Sequence, residues 1–99
     1  YTVKFTGRNR VLRVTAIGNF ALPGSEYTVF DLDFMPGTIH NGGAMVFGAD
    51  GKLYVAVGDG SDGPKAASNE SLLGKILRLN PDGSIPDDNP YFDQNQGVY

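Results

Sequence analysis

Residues 43–57 read Gly43-Ala44-Met45-Val46-Phe47-Gly48-Ala49-Asp50-Gly51-Lys52-Leu53-Tyr54-Val55-Ala56-Val57, two apolar runs joined by a short turn. The pattern predicts strands at 43–48 and 52–57. The Asp50-Gly51 pair supplies the positive φ angles that tight hairpins need. We therefore expect the two strands to pair antiparallel.

The strand at 52–57 is apolar on both faces. Leu53, Val55 and Val57 would lie on one face, and Tyr54 and Ala56 on the other. A strand of this kind needs cover on two sides, which favours a sheet stacked between other sheets.

Working outward from this hairpin, the same short alternation predicts further strands at 2–6, 10–17, 27–34 and 75–80. The run Asn80-Pro81-Asp82-Gly83 predicts a turn after the last strand, with proline preset for its first central position. No segment has the periodicity of a helix. The prediction is an all-β chain in antiparallel pairs.

An internal repeat orders these strands. The second strand alternates so that Leu12, Val14 and Ala16 are expected on one face. Its run Arg10-Val11-Leu12-Arg13-Val14 matches Lys75-Ile76-Leu77-Arg78-Leu79 in character at each position. With the intervening long loop discounted, the offset is close to the period of about 40–50 residues typical of β-propeller blades.

A blade has four antiparallel strands that run from a central channel outward. Residues 1–36 would hold the second, third and outermost strands of one blade. Residues 37–99 would hold the first three strands of the next, with a long loop at 59–73. The predicted fold is a β-propeller fragment of two adjacent incomplete blades, so we expect the chain to be a piece of a larger protein.

Composition bounds the function. The 99 residues suffice for one small domain. The net charge of −3 is spread along the chain and gives no electrostatic footprint for nucleic acid. The apolar stretches are too short to span a bilayer as a helix. The absence of cysteine excludes disulfides, thiolate metal sites and cysteine nucleophiles.

The one histidine stands in Ile39-His40-Asn41-Gly42-Gly43, just before an innermost strand. In a blade, the connection into this strand and the long loop lie on the same face, at one mouth of the channel. Asp59 follows strand 52–57 directly and could bond one ring nitrogen of His40, which orients the other nitrogen toward a substrate. The alternatives are an ordinary surface histidine and a turn-forming aspartate before Gly60.

Two weaker carboxylate patterns are present. The loop from Asp59 to Glu70 resembles a calcium loop, but residues 63–64 lack the required ligand and glycine, so an EF-hand is excluded and a looser calcium site stays open. Asp31 and Asp33 share a strand face, and a solvated outermost strand explains them better than a catalytic pair.

Several runs together are similar to the signature of the glucose/sorbosone dehydrogenase family. They cover about half of the chain in order, with the spacing of the family. They are His40-Asn41-Gly42-Gly43-Ala44-Met45-Val46-Phe47-Gly48-Ala49-Asp50-Gly51-Lys52-Leu53-Tyr54, Gly58-Asp59-Gly60, Leu73-Gly74-Lys75-Ile76-Leu77-Arg78-Leu79-Asn80-Pro81-Asp82-Gly83-Ser84-Ile85-Pro86 and Asp88-Asn89-Pro90.

This resemblance implies a six-bladed propeller and, for the enzymes of the family, oxidation of sugars with pyrroloquinoline quinone (PQQ) and calcium. His40 falls on the general base of the family, which takes the proton of the anomeric hydroxyl as hydride leaves for the quinone. Asp59 falls on the carboxylate that pairs with this base. The resemblance also implies a periplasmic or secreted protein.

The chain departs from the family pattern in two respects. Some glucose-oxidising members have an acidic residue before the histidine, where this chain has Ile39, and this puts the same substrate range in doubt. The arginines and the calcium-binding segment that hold the cofactor lie further along the family's chain, so no cofactor-binding or metal-binding residue is assigned here.

The expected partners are a sugar or small alcohol substrate and the remaining blades of the propeller, with neither nucleic acid nor a membrane. Residues 1–99 alone are expected to lack dehydrogenase activity and to self-associate through exposed sheet edges. Two rival functions are considered. One is a propeller that binds a polysaccharide or a protein without catalysis. The other is a calcium-dependent lactonase, which needs a cluster of carboxylates and asparagines at the channel that this sequence does not show.

Overall fold

The computed structural model describes residues 1–3 and 5–92, and strands dominate this part of the chain. The elements in chain order are β1 (Thr2–Val3), β2 (Arg8–Arg13), β3 (Ala16–Ile17), β4 (Phe20–Ala21), β5 (Tyr27–Phe34), β6 (Gly42–Phe47), β7 (Leu53–Val57), α1 (Gly63–Ala67) and β8 (Ile76–Leu79). Among the described residues, no helix has the length and apolar character that crossing a membrane requires.

The strands form two antiparallel three-stranded sheets, in the orders β1-β2-β5 and β6-β7-β8, and β3 pairs with β4 in a separate hairpin. Strand 27–34 is confirmed at both ends, and the predicted strands 43–48, 52–57 and 75–80 agree with β6, β7 and β8 to within one residue at each end. Except for the β3–β4 hairpin, which interrupts the connection between β2 and β5, the neighbouring strands of each sheet follow one another along the chain, as in a blade.

The hairpin between β6 and β7 is confirmed. The amide of Gly48 donates to the carbonyl of Lys52 (2.9 Å), which closes a three-residue loop. Within this loop only Gly51 has a positive φ, of 73°. The turn therefore needs glycine at one position and not at two, as in three-residue hairpin loops.

One apolar cluster holds the two large sheets together. β7 contributes its alternate residues, as the pattern predicted, while Tyr54 and Ala56 on its other face are half-buried. The buried cluster comprises Val11, Leu32, Met35, Leu53, Val55, Val57, Leu73, Leu77 and Leu79.

The predicted strand 10–17 is wrong in its second half. β2 ends at Arg13, and Ala16–Ile17 turns back on Phe20–Ala21. Gly18 allows this reversal because its φ is 59°, a left-handed value that glycine adopts at low cost. The chain therefore forms an extra hairpin in the connection between β2 and β5.

The predicted buried face of this strand is also wrong. Val11 is buried, whereas Val14 and Ala16 are exposed. The register between β2 and β5 shifts between Val11 and Leu12. Such a bulge reverses which side chains face the core.

The predicted strand 2–6 is shorter in the structure. It is confirmed only at Thr2–Val3, and Lys4 lies outside the described residues. Phe5 has a φ of 69°, and the amide of Thr6 donates to the carbonyl of Val3 (3.3 Å). The chain thus turns here toward β2.

The expectation of no helix is wrong at Gly63–Ala67, inside the long loop. The carboxylate of Asp62 caps the helix by accepting a hydrogen bond from the amide of Lys65 (3.1 Å). Pro64 fits the first turn because the amides there have no partner within the helix, so the amide hydrogen that proline lacks is not needed. A helix of five residues has too few turns to show a periodicity in the sequence.

Candidate active site

The candidate site is built where β6 begins and β7 ends. Because these strands pair with Gly42 opposite Val57, the residues just outside each strand are brought together. The amide of Gly58 donates to the carbonyl of Asn41 (3.0 Å), and the amide of Gly60 donates to the carbonyl of His40 (3.2 Å). The expected meeting of the two connections at one face is confirmed.

Gly58 allows this close approach. A Cβ atom built at this position would overlap the carbonyl oxygen of His40. The backbones of the two connections can therefore lie against each other only while residue 58 lacks a side chain.

His40 has a left-handed backbone, with a φ of 58°. Residues other than glycine rarely adopt this conformation, and it persists where surrounding contacts impose it. Here the hydrogen bond from Gly60 to the carbonyl of His40 and the contact of Gly58 with the same carbonyl impose it. The conformation sets the direction in which the imidazole leaves the backbone.

The imidazole meets the carboxylate that the sequence predicted. Nδ1 of His40 lies 3.1 Å from Oδ1 of Asp59. The side chain of His40 is 60% exposed and that of Asp59 is 37% exposed. The predicted contact is confirmed, while the catalytic roles of both residues stay a prediction.

Asp59 is held as an anion. The amide of Ser61 donates to Oδ1 of Asp59 (2.9 Å) and, together with the His40 ring, holds the pKa of this carboxyl below its usual value. An ionised carboxylate can only accept hydrogen bonds. In a neutral His40 the proton therefore sits on Nδ1, and the lone pair on Nε2 is available to accept a proton from a bound molecule.

Contacts from β5 and from the residue that precedes β8 order the long loop. The amide of Leu72 donates to Oδ2 of Asp33 on β5 (2.9 Å). Nζ of Lys75 donates to the carbonyls of Ala66 (2.6 Å) and Leu73 (3.0 Å). The residues that follow Asp59 are thus attached to the framework on both sides.

The interpretation of Asp33 as a merely solvated residue is therefore wrong, because it holds the long loop. Sequence reasoning missed this role because the partner lies 39 residues away. Asp31 instead pairs with Arg10, whose Nη2 lies 2.8 Å from Oδ2 of Asp31. The two aspartates share a strand but not a site.

The described residues include no cluster of three or more histidine, cysteine, aspartate or glutamate side chains that could bind a metal ion. In the segment that resembles a calcium loop, Asp62 caps α1 and Asp59 contacts His40. The looser calcium site left open by the sequence gains no support from this arrangement.

A groove with a volume of about 860 Å³ lies beside β8. Neither His40 nor Asp59 lines it. Its walls include Asp33, Tyr54, Lys75, Leu77, Arg78 and Tyr91. In this part of the chain, the side chains of His40 and Asp59 are exposed at the surface and lie outside this groove.

Comparisons with known proteins identify the family of the chain. Residues 2–99 match the family model described as Glucose / Sorbosone dehydrogenase. An aldose sugar dehydrogenase of Escherichia coli (strain K12) is 41% identical over 56 residues, which cover 57% of this chain and 15% of that protein. Quinoprotein glucose dehydrogenase B of Acinetobacter calcoaceticus is 36% identical over 72 residues, covering 54% of this chain and 15% of that protein.

Solved structures match over most of the chain. The PQQ-bound form of aldose sugar dehydrogenase from Streptomyces coelicolor is 35% identical, with a TM-score of 0.75, and the match covers 91% of this chain and 27% of that structure. The predicted fold, an antiparallel all-β fragment of a propeller, is confirmed by such matches. The chain spans well under a third of the length of these relatives.

Proposed function

The chain belongs to the glucose/sorbosone dehydrogenase family, and we propose that the full-length protein is a PQQ-dependent oxidoreductase acting on an aldose or a related alcohol. The family match and the relatives that oxidise sugars support the reaction class. The observation that carries the proposal to named residues is the contact of His40 with Asp59, which leaves Nε2 of the imidazole directed away from its anchor.

In the proposed reaction, His40 is the general base and Asp59 is a positioning residue. Nε2 accepts the proton of the anomeric hydroxyl, the C–H bond at the anomeric carbon breaks with its electron pair, and a carbonyl forms, so the sugar becomes a lactone. When bound, the quinone supplies the two-electron acceptor for this hydride. The anionic Asp59 stabilises the imidazolium that forms and holds its ring in place.

The described residues do not provide a binding site for the quinone. The four arginines have other partners: Arg8 contacts the carbonyl of Leu32, Arg10 pairs with Asp31, Arg13 lies over the ring of Tyr27, and Arg78 pairs with Asp50 and Asp88. With no metal-binding cluster among the described residues and the four arginines engaged elsewhere, we propose that the quinone and calcium ligands come from other blades.

Two further proposals follow from the same reading. Residues 1–99 alone would lack activity, because the described residues leave His40 on an open surface, and their sheet edges would favour self-association. From the resemblance we also propose that the full-length protein is periplasmic or secreted, which fractionation of the source cells would test.

The central test uses the full-length protein reconstituted with calcium and PQQ, and assayed on a panel of aldoses with a dye as the final electron acceptor. We expect oxidation that depends on PQQ. Replacement of the general base, His40→Ala, is expected to lower kcat by about 10²- to 10⁴-fold. The control variant Asn19→Ala changes an exposed turn in the β3–β4 hairpin and should keep its activity.

Full activity in the His40→Ala variant would refute the assignment of the base. Wild-type protein that binds PQQ but oxidises none of the aldoses or related alcohols would refute the dehydrogenase, and would favour a propeller that recognises a polysaccharide or a protein.

A further inference from the structure

Asn41, the residue after His40, closes the turn that presents the imidazole. Its Nδ2 donates to the carbonyl of Thr38 (3.2 Å), so the side chain spans the three preceding residues. His40, with its left-handed backbone, lies inside this span. The side-chain amide of Asn41 therefore fixes the turn in addition to the backbone hydrogen bonds made by Gly58 and Gly60.

The side-chain amide of Asn41 is in turn oriented by a residue of the neighbouring sheet. Nδ2 of Asn9, on β2, donates to Oδ1 of Asn41 (2.9 Å). Asn9 is itself held by Thr2, whose hydroxyl donates to Oδ1 of Asn9 (2.7 Å) across the β1–β2 pair. These bonds fix which end of each amide faces which partner, so Nδ2 of Asn41 is left to donate to Thr38.

A relay of three hydrogen bonds thus runs from Thr2 to Asn9, then to Asn41 and Thr38. It starts on the β1-β2-β5 sheet and ends two residues before His40, which belongs to the other sheet's connection. Each member is polar and short, and the two asparagines are half-buried. Partly buried amides with both ends paired hold one geometry more firmly than exposed ones.

We propose that Asn41 and Asn9 are positioning residues for the reaction of His40: they make the alignment of the imidazole with Asp59 depend on the docking of the two sheets. This inference rests on the proposed function. Neither asparagine forms a hydrogen bond with the ring among the described residues, so each acts through the turn that carries His40.

The kinetic consequence is specific. The relay fixes geometry and does not bind the sugar, so Asn41→Ala and Asn9→Ala should lower kcat by about 10- to 100-fold, the size expected for a small displacement of a reacting group. KM for the aldose should stay within about twofold, because uniform binding is unchanged. The exposed Asn19→Ala is the matched control and should keep the wild-type kcat.

A double-mutant cycle separates positioning from simple structural damage. If Asn41 acts by holding His40 against Asp59, then removal of Asn41 matters little once the anchor has gone. Asn41→Ala in an Asp59→Asn background should then lower kcat by less than about twofold further. Fully multiplicative losses would overturn the proposal. Asn41→Asp, which keeps the acceptor for Asn9 but loses the donor to Thr38, should give an intermediate kcat.

The proposal can also be tested without turnover, by NMR of the His40 ring. In the full-length protein, the imidazole ¹⁵N signals of His40, assigned by their loss in His40→Gln, report whether Nδ1 carries the hydrogen-bonded proton. We expect these signals to move in Asn9→Ala and Asn41→Ala and not in Asn19→Ala. Unchanged signals in folded Asn9→Ala and Asn41→Ala variants would overturn the proposal even if the wild type proved inactive, whereas an inactive wild type alone would refute only the dehydrogenase.

Discussion

The two ends of β7 each carry an aspartate, and the two aspartates have different surroundings. Before the strand, Asp50 accepts from the amide of Lys52 (3.1 Å), the hydroxyl of Tyr54 (3.0 Å) and Nε of Arg78 (3.1 Å). After the strand, Asp59 accepts from the amide of Ser61 and contacts His40. Both carboxyls have a lowered pKa, and in both the largest cause is a backbone amide two residues on.

The two ends differ in whether the partner of the aspartate keeps a free hydrogen-bonding atom. At the Asp50 end, the guanidinium of Arg78 also pairs with Asp88 (2.6 Å) and bonds the buried Asn89 (2.9 Å), so its donors are engaged within the fold. At the Asp59 end, the partner is an imidazole with a second nitrogen that no described group bonds. A lowered carboxyl pKa is thus common to a structural ion pair and to the candidate site. What distinguishes them is whether the partner of the carboxylate has an atom left to bond another molecule.

The largest effect on this comparison should come from Gly58→Ala. The added methyl would overlap the carbonyl of His40 and push the two connections apart at the Asp59 end. We expect kcat of the full-length protein to fall by about 10²-fold, since a shift of about 1 Å can cost that much. Gly63→Ala is the matched control, because a Cβ there meets nothing and the residue is helical. Equal activity of the two variants would contradict the account.

At the Asp50 end of β7, the change Arg78→Met should lower stability and not activity. This change removes the partner of Asp50 and Asp88 and leaves the buried side-chain oxygen of Asn89 without its donor, which destabilises a fold. We expect a lower Tm with kcat within about twofold of wild type, because no substrate-facing group moves. Loss of activity without loss of Tm would reverse the roles assigned to the two ends.

A smaller effect is expected from acid. Asp88, paired with Arg78, has a lowered pKa in the folded protein. A carboxyl of this kind stabilises the fold above its unfolded pKa of about 3.9, and this contribution is lost as the pH falls through the lower folded value. The urea midpoint should therefore drop less between pH 5 and pH 3 in Asp88→Asn than in the wild type. Parallel pH dependences would show that this ion pair adds nothing.

Much of the framework was predictable from local patterns. The alternation around Asp50-Gly51 predicted the β6–β7 hairpin, and topology placed His40 beside Asp59. These predictions succeed because pairing of adjacent strands and the geometry of a turn depend on residues close together in sequence.

What the sequence did not predict depends on distant partners or on single-residue irregularities. The alternation of the sequence predicts Leu12 in the core, yet a register shift places Val11 there. Asp33 and Asn9 have partners more than 30 residues away, and their types alone indicate only exposed polar positions. The short helix α1 is fixed by the cap at Asp62. Its five residues are too few to show a helical period in the sequence.

The most direct measurement compares Asp59→Asn with Asp50→Asn in the full-length protein reconstituted with calcium and PQQ, with kcat and Tm measured on both. The account predicts that Asp59→Asn lowers kcat by about 10²-fold or more, because the imidazole loses its anchor, while Tm stays near the wild-type value. Asp50→Asn should lower Tm and leave kcat within about twofold. Wild-type kcat in Asp59→Asn, or an equal loss of kcat in both variants, would contradict it.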